Sequence, residues 1–130
     1  KDKEWENLIQ SFDKFEDFVK HWIHPSNIYR HVFFCPQHEF LTDRTGAISL
    51  NLVGKLESIE SEFQKLTSNI SSAEKLAWIN KNRSDDYRTY YNDQTAEIVA
   101  NVYERDIALL GYDFDDSNND AFIPLSRPPY

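Results

Sequence analysis

Apolar residues return at three- and four-residue steps from Trp5 through Leu8, Ile9, Phe12, Phe15 and Val19 to Trp22. That spacing puts them on one face of a helix. Ser11 is expected to cap a fresh helix starting at Phe12, with Asp13 in its first turn. The helix is expected to stop by His24, because the residue before Pro25 disfavours the α region. Over residues 25–47 no helical period continues; Pro25, Pro36 and Gly46 punctuate a stretch whose apolar centre is Val32-Phe33-Phe34. A long ordered loop with at most one short strand is expected there.

Ile48 to Val53 alternates apolar and polar residues, the pattern of a half-buried strand. Leu56, Ile59, Phe63, Leu66 and Ile70 then make a second helical stripe on a charged background. Ser72 can cap a short helix running to Ile79. A polar segment from Asn80 to Tyr91 leads to Asp93, the expected cap of a last helix ending near Leu110, with Gly111 suited to the C′ position. The expected fold is mainly α with one or two short strands. A lone strand would leave its backbone groups without partners, so a strand feeding a helix at 48–70 resembles a piece of an α/β sheet. Residues 1–114 form the expected body, and 115–130 an Asp/Asn/Pro-rich tail that frays or lies extended.

Composition narrows the function more than the fold. The 130 residues carry a net charge of −8, which argues against a nucleic-acid surface needing clustered Lys and Arg. Aromatic residues are abundant, with nine Phe, seven Tyr and three Trp available to fill a modest core. No apolar run approaches the roughly 18 residues of a membrane helix. The single Cys excludes an internal disulfide.

His21, His24, His31, Cys35 and His38 fall close together, but their spacings match no familiar zinc motif, so no metal is expected. Glu57 lies at the expected strand-to-helix junction after Gly54, where open α/β sheets bind ligands. Lys75, Lys81, Arg83 and Arg88 are the only basic concentration, and Asn82-Arg83-Ser84 can offer a guanidinium, a hydroxyl and amides to a phosphate. Its bland counterpart is an exposed loop whose arginines pair with Asp85 and Asp86.

Five segments stand in a telling order: SFDKFEDFV from Ser11, FFCPQ at 33–37, NLVGKLE at 51–57, NRSDDYRTYY at 82–91 and YERDIALLGYDF at 103–114. In that order they resemble the C-terminal half of the carbohydrate sulfotransferase family that includes chondroitin and dermatan 4-O-sulfotransferases and bacterial relatives. The resemblance implies the C-terminal part of an α/β P-loop-type fold. It also implies transfer of a sulfuryl group from PAPS, the phosphoadenosine phosphosulfate co-substrate, to a sugar hydroxyl. Carried over by position, Arg83 and Ser84 are expected at the nucleotide, and Arg30, His31 and Gln37 in a loop facing the carbohydrate acceptor. Glu57 organises the junction, as ligand contact or as structure, and the catalytic base would lie upstream.

The donor-binding P-loop is not among these residues, because three Gly cannot supply a Gly-rich loop with its Lys and Ser/Thr. This polypeptide alone is therefore expected to be inactive and open to self-association. The resemblance implies the Golgi lumen for an animal parent and the cytoplasm for a bacterial one. The competing hypothesis is a stand-alone helical interaction module without catalysis. A third is a zinc-stabilised domain.

Overall fold

Helix α1, Asp2–Gln10, carries the first half of the N-terminal stripe and α2, Phe15–Trp22, the second. They are separate helices. Ser11 does not cap α2: its hydroxyl donates back to the Leu8 carbonyl at 2.6 Å, closing α1. The residue before α2 is Lys14, in extended backbone without a side-chain cap. Glu16 and Asp17 in the first turn of α2 and Lys20 and His21 in its last suit the helix dipole instead. The computed structural model describes residues 2–50, 52–68 and 86–115.

The stretch after α2 is more helical than its sequence suggested. Pro25 opens α3, Pro25–Ile28, as the first residue of a helix needing no N–H, and His24 caps it by accepting the Ser26 amide at Nδ1. Val32-Phe33-Phe34 lies in turns, not a strand, and α4 covers His38–Leu41. Single turns of this kind are too short to display a 3.6-residue period.

Ile48 to Val53 also departs from expectation. Among the described residues its only pairing is one antiparallel bridge, Thr42 to Ile48, and no sheet forms. The bridge closes a turn in which Asp43 accepts the Thr45 amide and hydroxyl, at 2.8 and 2.6 Å, while Gly46 takes a φ of +83°. Hydrogen bonding from Thr45 holds the Asp43 carboxyl below its usual range. After a tight turn at Leu56–Ser58, α5 spans Ile59–Ser68. Leu56, expected on the buried stripe, is 75% exposed. Ile70, the expected Ser72–Ile79 helix, residues 80–85 and the tail from residue 116 lie outside the described residues.

The last expected helix is two. Helix α6 spans Asp93–Val102 and α7 spans Glu104–Leu110, kinked at Tyr103. Backbone bonds from Tyr103 to Val99 and from Ile107 to Tyr103 keep the ladder running across the kink. The cap is Asn92, not Asp93: the Asn92 side chain accepts the Thr95 amide at 2.9 Å, and the Thr95 hydroxyl accepts the Asn92 amide at 2.9 Å. Asn92→Ala is expected to cost about 1 kcal/mol in a urea melt. Gly111 ends α7 with a φ of +62°, as its place in the sequence indicated.

The chain divides into two units, Lys1–Phe40 with Ser84–Leu109, and Leu41–Arg83 with Leu110–Tyr130. The first holds an aromatic core of Val19, Trp22 and Ile23. Trp5, Phe12, Phe18, Phe34, Ile98, Val99, Val102 and Tyr103 pack around it. Trp22 stacks on Phe18 at 5.3 Å and meets Trp5 edge-on at 5.6 Å, the two arrangements aromatic pairs favour. Helix α2 packs on α6. Among the described residues no helix is long and apolar enough to cross a membrane.

Candidate functional site: a braced loop

Asp106 lies one turn beyond Tyr103 on α7 and is only 6% exposed. A carboxylate taken out of water needs donors. It finds three at the start of α4 and on the residue before it. Asp106 Oδ2 accepts the Gln37 amide at 2.6 Å, while Oδ1 accepts the His38 amide at 2.8 Å. The His38 ring reaches the same Oδ1 through Nδ1 at 2.5 Å, so Nδ1 carries the proton. These partners stand 68 and 69 residues apart in the chain. A fourth tie comes from Tyr103, whose hydroxyl donates to the Phe34 carbonyl at 2.7 Å. The stretch from Phe34 to His38 is thus fixed at its two ends, to Tyr103 at the α6–α7 kink and to Asp106 on α7.

Burial, and after it the Asp106 charge, pushes the Tyr103 phenol up to about 12. Unfolded, the phenol would ionise near its ordinary value of about 10. This contribution is therefore intact below that value and fades as pH rises toward the folded one. Tyr103→Phe is expected to cost about 1 kcal/mol at neutral pH, the worth of one hydrogen bond. It should also flatten the alkaline limb of a pH–stability curve, measured by urea melts at stepped pH.

The outer part of the loop carries rings. His31 lies between Trp5 and Phe33, with centroids 4.3 and 4.7 Å away. His31 Nδ1 accepts the Phe33 amide at 3.3 Å, so in the neutral ring the proton sits on Nε2. Phe33 is 84% exposed, and Val32 beside it is also open to solvent. Below, the Tyr29 hydroxyl donates to Glu39 at 3.3 Å, and His38 Nε2 lies 3.4 Å from the same carboxylate oxygen. Desolvation first, then the Glu39 charge, raises the Tyr29 phenol above its ordinary value.

Of the residues expected at a site, Arg30, His31 and Gln37 fall on this one loop. Arg30 is exposed, His31 half-buried, and Gln37 is anchored through its backbone with its side chain exposed. Glu57 belongs to the other unit. Among the described residues no strand precedes it; it is exposed in the turn before α5 and lines a shallow depression with Ser58, Glu60 and Gln64, all neighbours on one segment. Arg83 and Ser84 lie outside the described residues. His21 bonds the Asp17 carbonyl and His24 caps α3, and among the described residues no cluster of His, Cys, Asp and Glu is arranged for a metal.

Gly54-Lys55 has the residue types of a phosphate loop but not its geometry. Lys55 is buried, its ammonium donates to the Gly111 carbonyl at 2.7 Å, and it sits 5.0 Å from the Tyr112 ring centre. It serves the C-terminus of α7 and is not presented to a phosphosulfate.

Asp106, Tyr103 and Lys55 were not anticipated as supports of a site. The signal was present for Asp106: an acid three residues after Tyr103, on the face that buries Val99 and Val102, cannot stay unpartnered. Comparison of the chain with protein-family models, with curated proteins and with solved structures returns no match.

Proposed function

We propose that this chain is the acceptor-side segment of a carbohydrate sulfotransferase, presenting a sugar hydroxyl to a PAPS site formed by other residues. The supporting observation is how the signature segments meet. Phe15 of the first packs on Tyr91 of the fourth at 4.9 Å. Phe34, Gln37 and His38, in and beside the second, bond Tyr103 and Asp106 of the last. Lys55 of the third bonds Gly111 of the last within the other unit. Residues of the signature segments are thus among those that join distant parts of the chain, which supports reading the segments together.

On this reading Arg30, His31 and Gln37 face the acceptor, while Arg83 and Ser84 close on the nucleotide. The test uses the protein as its own cells make it, incubated with radiolabelled PAPS and an oligosaccharide pool. Labelled saccharide is expected, falling at least tenfold in Arg83→Ala. Absence of labelling, together with no calorimetric binding of the desulfated donor, would overturn the proposal and leave the helical interaction module in its place.

A further inference from the structure

We infer that the Trp5–His31–Phe33 ladder is a binding platform for an uncharged saccharide, and that the acceptor is neutral and not a polyanionic glycan. The inference rests on the sulfotransferase reading and adds to it the class of acceptor and the residues that select it.

Three observations carry it. The rings stand in a row, tilted by 57° and 58° to one another, with Phe33 84% exposed, Trp5 and His31 half-buried, and the imidazole in contact with both neighbours. Sugar rings present C–H groups that rest on such π faces, and their hydroxyls need hydrogen-bond partners. His31 supplies a donor there: its Nδ1 is taken by the Phe33 amide, so Nε2–H is the donor, and no described group accepts it. The second observation is rigidity. Tyr103 holds the Phe34 carbonyl next to Phe33, Asp106 holds Gln37 and His38 further along, and the Phe34 amide donates to the His31 carbonyl, so ordering this stretch on binding costs little.

The third observation is charge, and it selects among saccharides. Helix α1, which brings Trp5 to the ladder, carries three acids against one lysine. The loop itself offers Arg30, opposed by the exposed Glu39. Binding a sulfated or uronate-rich glycan draws on clustered Lys and Arg, as binding any polyanion does. Here the surroundings repel it. A neutral sugar is indifferent to that field.

The test follows Trp fluorescence of this chain during titration with neutral hexasaccharides, chitohexaose and maltohexaose, beside chondroitin as the polyanionic probe. Saturable change with a neutral probe, weakened at least tenfold in Phe33→Ala and in His31→Ala and unchanged by added salt, is the expected result. Circular dichroism of both variants should match the wild type, since neither residue belongs to the buried core. Tighter binding of chondroitin, no binding of any probe, or binding untouched by Phe33→Ala would overturn the inference. If the intact protein still sulfates saccharides from PAPS, that failure concerns the platform alone. If it does not, the parent reading fails as well.

Discussion

Asp106→Ala is expected to destabilise the first unit by at least about 3 kcal/mol. The carboxylate satisfies the Gln37 and His38 amides and the His38 ring. Its removal leaves donors unmatched, and each buried donor so stranded costs about 1–3 kcal/mol. His38 is 6% exposed, so water cannot readily take the place of the lost acceptor. Asp106→Asn keeps one oxygen but turns an NH2 toward groups that are themselves donors, so it should recover only part of the loss. Urea melts of the three proteins check this. An alanine variant within about 1 kcal/mol of wild type would mean that the loop is held by something else.

Trp22 gives the second large effect, and its pattern is unusual. The ring is 4% exposed, among Trp5, Phe18 and Phe34. Trp22→Ala should cost about 3–5 kcal/mol, the range for deleting a buried large aromatic. Yet the indole N–H is buried without a hydrogen-bond acceptor among the described residues. Trp22→Phe removes this unsatisfied donor along with part of the ring, so the cavity cost and the relief oppose each other. The phenylalanine variant is expected within about 1.5 kcal/mol of wild type. Paired melts decide the matter: a Phe variant as damaged as the Ala variant would show that the indole N–H contributes a bond.

What the sequence disclosed and what it hid divide along physical lines. The stripes ending in Val19 and Trp22, and in Val99 and Val102, were legible because a helix of two or more turns repeats its buried face. Gly111 was legible because a left-handed residue after a helix favours Gly. Helices α3 and α4 were not, since one turn shows no period and Pro25 reads equally as a stop or a start. Ile48 to Val53 shows the limit of alternation: the pattern permits a strand, but a strand also needs a partner, and among the described residues it has a single bridge, Thr42 to Ile48. Ser11 and Asn92 show the limit of cap rules, because a hydroxyl can close the helix behind it as well as open the one ahead.

The site was half legible. Arg30, His31 and Gln37 were placed on one loop by their order in the chain, and the structure keeps them there. The bracing was not, because it joins residues almost seventy positions apart. Nor was the bond from Lys55 to the Gly111 carbonyl, which joins residues 56 positions apart.

The loop geometry, and with it the proposed sugar platform and acceptor role, depends on the Asp106 carboxylate holding Gln37 and His38 in place. Amide hydrogen exchange at these two positions, in the wild type and in Asp106→Asn, tests that most directly. Both amides should exchange slowly in the wild type, at rates close to those of the α2 and α6 core, and faster by at least tenfold in the variant. Wild-type exchange as fast as at an exposed loop, or protection unchanged by the substitution, would contradict it.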